Sequence, residues 1–350
     1  MEAKKRIFKE MLEKVSIPVT LPAEDEKVLL IPMLEYLYCI TPTRLFRYRD
    51  CSERQFDAFY NDRIYAVNPQ MFNDPYDCLI RYDKSYLYDS IIRGTSKENI
   101  KQLRDKLKNG ETFPEPLKSI YGDKQVEIIK DTIYNATDDN LDQLEAAFEV
   151  NKKDFFNNID AILKQAEDYL RRNTFVACFS ETVKSITMWS HYADSHKGFV
   201  LEYDLKNLNY KCNTCDKKDF CNERVVYNLY PVLYDNRRYD ATSFVESYLG
   251  LSFGLDMKIH DKMYYTKAAL YKSPQWQYEK EWRLFLNKKN TIGQSCLNII
   301  IKPIAIYYGK DMSDINKKIL SEMAKEKGLK EYQMYIDTQS DRYSMKYRKI

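Results

Sequence analysis

The chain has 350 residues, a length that fits about two domains or one large domain carrying an insertion. Lys plus Arg number 55 against 52 for Asp plus Glu, a formal charge of +3 with both signs mixed along the chain, which excludes a polycationic nucleic-acid arm. Apolar residues make up 44%, too many for a disordered chain, yet no charge-free run is long enough to span a membrane. Glycines number only nine, where roughly 7% is usual, and none is spaced as GxGxxG, as GxxxxGK followed by Ser or Thr, or as GxSxG. Those absences argue against Rossmann dinucleotide folds, P-loop NTPases and the α/β-hydrolase elbow. The thirty tyrosines are interleaved with acids as often as with bases and read as compositional bias. The opening MEAKKRIFKEMLEKV has helical spacing without the apolar run of a signal peptide, so a cytoplasmic protein with cysteines as thiols or metal ligands is expected.

In chain order, residues 1–43 read as an N-terminal helical cap that ends before Pro42 in TPT. Residues 44–350 read as a single α+β domain. It begins with the strand LFRYR, a helix in SERQFDAFYND whose Ser52 and Gln55 have capping-box spacing, and the strand RIYAV. The Asn-, Asp- and Pro-dense NPQMFNDPYD must be loop. Residues 84–172 read as a helical insertion, with LDQLEAAFEV and FFNNIDAILKQAEDYLRR its clearest amphipathic stretches. The β pattern resumes in TFVACFS, followed by a short helix at ITMWSHYA and the strand GFVLEYD. Residues 208–223 form a Cys-bearing loop insertion. After VVYNLYPVLY, a strand pair or bent strand, comes a long helical stretch from Thr242 to Tyr271. EWRLFLN and CLNIIIKPIAIYY are late strands, SDINKKILSEMAKEKG is a helix, and the tail closes the sheet.

Four clusters carry residues capable of chemistry. Period two on the first strand puts Arg47 and Arg49 on one face and Tyr48 on the other; an inward Arg grips phosphate or carboxylate, and an exposed edge strand is the plain alternative. Asn73, Asp74 and Asp77 lie in a loop that is a simple turn or whose acids hold a ribose or a metal, the metal without matching His or carboxylate spacing. CFSE and MWSHYADSHKG gather Ser180, Trp189, His191 and Tyr192, which read either as a pocket stacking on a planar group or as a partly buried aromatic helix with a satisfied His. The i, i+5 spacing of His191 and His196 is not that of a zinc pair on one helix face. In QWQYEKEWR, strand alternation would point Glu279 and Glu281 to one face and Lys280 and Trp282 to the other; paired acids stabilise an oxocarbenium-like centre or activate a nucleophile. Cys212, Cys215 and Cys221 form C-x2-C-x5-C, half of a structural zinc knuckle without an evident fourth ligand, or free thiols.

Taken in order, FRYR, NPQMFNDPYD, CFSE, MWSHYADSHKGFVLEY and YEKEWR resemble an uncharacterised bacterial domain family of unknown function. They also resemble the ADP-ribosyltransferase superfamily, which implies a split mixed or antiparallel β-sheet core. That resemblance implies that Arg47 binds NAD, that Ser180 or the Tyr192 region is the middle element, and that Glu281, preceded by Glu279, is the catalytic acid. Together with the clusters, the expected NAD-binding residues are Arg47, Tyr48, Asn73, Asp74, Ser180, Trp189 and Tyr192, and the expected catalytic ones Glu281, Glu279 and His191. CFSE stands where an arginine-specific member has Ser-Thr-Ser, so the resemblance leaves the acceptor, protein or nucleic acid, open. The expected function is an NAD-consuming enzyme of a toxin or phage-defence system, held in check by an antitoxin or other regulatory partner. The competing expectations are a nucleic-acid-processing or nucleic-acid-binding protein with a zinc loop, and a non-catalytic ligand-binding module.

Overall fold

A computed structural model describes residues 2–18, 21–94, 96–111, 115–150, 174–208, 225–246, 261–286, 294–341, 343 and 345–350, with residues 157, 160, 163, 164, 168, 171 and 172 between them. It is an α+β structure in which helices surround one large mixed sheet. Among the described residues no helix is long and apolar enough to cross a membrane.

Helices α1 (Glu2–Lys14) and α2 (Ala23–Ile40) pack on each other and bury Phe8, Leu12, Met33 and Leu37 in the main core. The residue before a proline is forced out of helical geometry, and Thr41, ahead of Pro42, is extended at φ −61°, ψ 125°. Three polar ties fix α1 to the body: Lys5 to Glu181 at 2.6 Å, Lys9 to Asp235 at 2.5 Å, and Glu13 to the Tyr271 hydroxyl at 2.5 Å. The expected strand, helix, strand unit is β1 (Leu45–Arg49), α3 (Glu53–Tyr60) and β2 (Arg63–Val67). Ser52 is the N-cap of α3, but its hydroxyl makes no capping bond. The Asp50 carboxylate takes the Ser52 N–H at 2.8 Å, which removes the donor that the capping box requires Gln55 to bond.

The insertion supplies α4 (Lys84–Gly94), α5 (Lys97–Lys108), α6 (Glu115–Tyr134) and α7 (Leu141–Val150). Its helices build two small cores of their own, Leu107 with Val126 and Ile133, and Ile100 with Ala136 and Leu141, while Leu87 and Leu163 reach the main core. Most of FFNNIDAILKQAEDYLRR, and residues 247–260 of the stretch expected to be helical between Thr242 and Tyr271, lie outside the described residues.

Beyond the insertion the elements are β3 (Val176–Ser180), α8 (Ile186–Tyr192), β4 (Phe199–Tyr203), β5 (Leu229–Pro231), β6 (Leu233–Tyr234), α9 (Tyr264–Ala268) and β7 (Tyr271–Lys272). A 3₁₀ turn, Pro274–Glu279, then leads into β8 (Glu281–Phe285), followed by β9 (Cys296–Ile300), β10 (Ala305–Tyr308), α10 (Asp314–Glu326), β11 (Lys330–Ile336) and β12 (Met345–Lys349). The sheet runs β12-β11-β10-β4-β1-β3-β2-β9, with β8 along β3 and β5 along β8; β10 and β11 are parallel and the other pairs in this sheet are antiparallel. Alternation sends Phe46 and Tyr48 to one face, where they pack with Trp189, Val200 and Tyr307, and Leu45 to the main core.

The join between β1 and β3 positions the site. All five residues of β3 pair with β8, but on its other side β3 meets β1 only at Phe46↔Ser180 and β2 only at Val67↔Val176. Between those two points the sheet parts. The far end of β1 is pinned instead to β4, where Gly198 and Gly309 admit close backbone approach: a Cβ on Gly198 would stand 2.0 Å from the Arg49 carbonyl oxygen, and one on Gly309 2.1 Å from that of His196. We predict that Gly309→Ala destabilises the chain by about 2 kcal/mol or more, since the clash is with backbone that cannot swing away. A lowered urea-unfolding midpoint checks this, and an unchanged one refutes it.

Candidate functional site

The parted sheet holds a cleft of about 220 Å³. One wall is β1. The Arg47 guanidinium donates from one terminal nitrogen to the Tyr65 carbonyl at 2.6 Å and lies 5.6 Å over the Phe179 ring. Its other terminal nitrogen is buried with no hydrogen-bond partner. Arg49 donates to the Tyr48 carbonyl at 3.2 Å, and among the described residues neither arginine is ion-paired to a carboxylate. Burial pushes both guanidinium pKa values down, and for Arg49 the charge of Arg47 adds to the effect. A buried donor without an acceptor is costly, and none meets this nitrogen among the described residues.

The opposite wall is a buried charge cluster. Lys272 donates from Nζ to Glu279 at 2.6 Å and to Glu281 at 3.1 Å, with Asp77 at 3.8 Å. Arg283 donates to both oxygens of Asp77 at 2.6 Å, to Glu281 at 2.9 and 3.2 Å, and to the Ala269 carbonyl at 2.7 Å. All five side chains are buried. Three acids face two bases, and the deficit falls on one acid. Burial opposes ionisation of Glu281, but Arg283 and Lys272 outweigh it and hold its carboxyl well below the usual range. Burial and the neighbouring charge of Glu281 push the Glu279 carboxyl up. Two carboxylates in one site with pKa values driven apart are equipped for different tasks, one permanently anionic and one able to carry a proton.

The sequence expectation for QWQYEKEWR requires a correction. Glu279 is not on a strand: it ends the 3₁₀ turn, and Lys280 adopts a left-handed conformation at φ 47° before β8 begins. The two carboxylates still converge, because Lys272 clamps both of them. Within β8 alternation holds: Glu281 and Arg283 face the cluster, while the Trp282 indole donates to Glu181 at 2.7 Å elsewhere.

Several residues singled out in the sequence do meet here. Tyr192 donates its hydroxyl to Glu279 at 2.6 Å and accepts from the Asn73 amide at 3.0 Å, joining α8 to the 73–77 loop across the cleft. Ser180 donates to the Glu279 carbonyl at 2.6 Å and accepts from the Thr182 N–H at 3.2 Å, so it fixes the backbone that carries the acid. Tyr48 lines the cleft, but its hydroxyl is taken by the Thr182 carbonyl at 2.8 Å.

Others stand apart. Trp189 is not a stacking platform: it is fully buried in the core, edge-on to Tyr48, with its indole N–H on the Val183 carbonyl at 2.7 Å. His191 is exposed and 3.3 Å from the Tyr278 hydroxyl, outside the cleft lining. Asp74 is buried beside a neighbouring pocket, not this one. Cys212, Cys215 and Cys221 lie outside the described residues.

Sequence reasoning missed Lys272, named Asp77 only as one acid of the 73–77 loop, and passed over Arg283 although Arg283 shares a strand face with Glu281. Lys272 carries no local signal, since its role depends on β7 lying beside the 3₁₀ turn. It also passed over Cys178, which lines the cleft opposite Arg283 in the β3–β8 register with its thiol pKa raised by burial and by Glu281.

Residues 188–284 match the model of a family described as a protein of unknown function, DUF2971. The match supports kinship with an uncharacterised family. It begins on α8 and ends on β8, so it contains Tyr192, Lys272, Glu279, Glu281 and Arg283 and leaves Arg47, Asn73 and Asp77 outside. No curated protein and no solved structure matches the chain.

Two predictions follow from the cluster. Arg283→Met should cost about 3–5 kcal/mol in urea unfolding, because it strands Asp77 and Glu281 as uncompensated buried charges; a loss below 1 kcal/mol would contradict it. The two Gln variants should show opposite pH trends in unfolding midpoint. Glu281, with a depressed folded pKa, contributes stability above about 4.5 that fades as pH falls, so the penalty of Glu281→Gln shrinks in acid. Glu279, with a raised folded pKa, contributes most below about 4.5 and loses this as pH rises, so Glu279→Gln gains on the wild type toward neutral pH.

Proposed function

We propose that the chain is an NAD-consuming enzyme of ADP-ribosyltransferase type, which breaks the bond between nicotinamide and ribose and passes ADP-ribose to an acceptor or to water. The observation that carries this reading is one cleft lined both by two arginines that have no acid partner among the described residues and by a paired-acid cluster. Arg47, which lines the cleft, binds the pyrophosphate; its guanidinium supplies charge and donors where the ligand has acceptors. Glu281, held anionic, lies against the positive charge that spreads over the ribose as nicotinamide departs. The C1′–N bond breaks with its electron pair going to the ring nitrogen, so nicotinamide leaves neutral. The acceptor's lone pair then bonds to C1′, and its proton passes to Glu279, the carboxyl whose pKa is raised. Tyr192 orients that carboxyl through its 2.6 Å hydrogen bond.

The test is nicotinamide release from NAD by the purified chain, alone and with cell lysate as the source of acceptor. Glu281→Gln should lower turnover by about 10²–10³-fold. Because that substitution also touches the buried cluster, Arg47→Ala provides a second arm: Arg47 is in no ion pair among the described residues, so KM for NAD should rise about tenfold or more, with a fall in thermal midpoint no larger than the loss of its hydrogen bond to the Tyr65 carbonyl brings. Absence of both nicotinamide release and NAD-induced thermal stabilisation would overturn the reading.

A further inference from the structure

Glu279 is 4% exposed, and each of its carboxylate oxygens already faces a donor: Oε2 takes the Lys272 ammonium at 2.6 Å and Oε1 takes the Tyr192 hydroxyl at 2.6 Å. An ammonium only donates, so nothing that enters the cleft can hand a proton on through Lys272. A phenol both donates and accepts. Tyr192 lines the cleft and is more exposed than the acid it bonds, so an acceptor meets its oxygen before it meets Glu279.

The hydrogens along this path have one direction. The exposed Asn73 side chain donates from Nδ2 to the Tyr192 oxygen at 3.0 Å, and an amide nitrogen has no lone pair with which to accept in return. The Tyr192 proton therefore points at Glu279, and the free side of the Tyr192 oxygen is filled by a donor from the 73–77 loop. That donor gives up no proton at neutral pH. A water or hydroxyl standing in its place would put a transferable proton on the same oxygen. Burial and the charge of Glu279 push the Tyr192 phenol up, so the ring stays neutral, while the Glu279 carboxyl, also pushed up, is suited to receive a proton.

We propose that Tyr192 is a catalytic residue that relays the acceptor's proton to Glu279, with the Asn73 amide holding the place that the acceptor takes. As the acceptor's lone pair bonds to C1′, its proton passes to Tyr192 Oη and the Tyr192 proton passes to Glu279 Oε1. One O–H bond forms and one breaks at Tyr192, so the phenol leaves the step as it entered and Glu279 alone ends protonated. The relay rests on the NAD-consuming reading and supplies the route by which that reaction's proton reaches Glu279.

Two rates measured on the full chain test it. Exchange of labelled nicotinamide into NAD reports breaking and re-forming of the C1′–N bond and moves no acceptor proton, whereas ADP-ribose formation with water as acceptor requires that proton to leave. Tyr192→Phe should lower ADP-ribose formation by about 10²-fold and raise the ratio of exchange to ADP-ribose formation by about tenfold or more. Asn73→Ala, which removes the competing donor, should move the ratio the other way by about threefold. A Tyr192 that only oriented the carboxyl would lower both rates in step. That outcome, undiminished ADP-ribose formation in Tyr192→Phe, or a raised or unchanged ratio in Asn73→Ala, each overturns the proposal. Should Tyr192→Phe fail to fold, as judged by thermal unfolding, the unaltered chain in mixtures of light and heavy water decides: ADP-ribose formation relative to exchange should fall along a curve with deuterium fraction, as two moving protons require, and a straight line overturns the relay. If the unaltered chain neither exchanges nicotinamide nor forms ADP-ribose, the NAD-consuming reading itself fails, and the relay falls with it.

Discussion

The salt bridge of Arg283 to Asp77 and Glu281 is the interaction on which the rest of this structure depends. A guanidinium with no exposed surface is tolerable only when its donors are met, and here they are met by two carboxylates and a carbonyl from three separate parts of the chain. The bridge therefore does topological work. Asp77 anchors the loop after β2, Glu281 and Arg283 anchor β8, and Ala269 anchors the turn after α9. Lys272 extends the same cluster to Glu279 and, through Tyr192, to α8.

On one edge β3 makes a full ladder with β8, which places Cys178 and Ser180 beside the charged residues; on its other edge it keeps one pair with β1 and one with β2. The gap that results is lined by polar side chains that would be expensive inside a closed sheet. Arg47 and Arg49 line the gap without an ion pair among the described residues, while the acid cluster on the same cleft holds three carboxylates against two cations. The two groups of charge are thus complementary, with Glu279 the acid left over.

Much of this was legible in the sequence. LFRYR, RIYAV, VACFS, FVLEY and EWRLF all announce strands by alternation and β-branched or aromatic content, and the corresponding elements formed. The convergence of Glu279, Glu281, Tyr192 and Asn73 was foreshadowed by residue type. What was not legible depends on contacts distant in sequence. Lys272 is an ordinary Lys in YYTKAALYKSP until the fold sets it between two carboxylates. Trp189 could stack on a ligand or fill a core, and only the burial of α8 against β1 decides it. Ser52 had the spacing of a cap, but Asp50 competed for the same N–H.

The ties of the first helix carry a consequence of their own. Lys5 holds Glu181, which takes the Trp282 indole on β8; Glu13 holds Tyr271, the neighbour of Lys272; and Lys9 holds Asp235 on the rim of the neighbouring pocket that Asp74 lines. These contacts put α1 behind both cavities at once, as a brace rather than a cover. A partner that grasped this helix and drew it away would loosen the strand bearing Glu281 and the residue bearing Lys272 together, without touching either opening. One helix thus carries three ties around the charge cluster, so that a change in its position reaches Glu181, Asp235 and Tyr271 together.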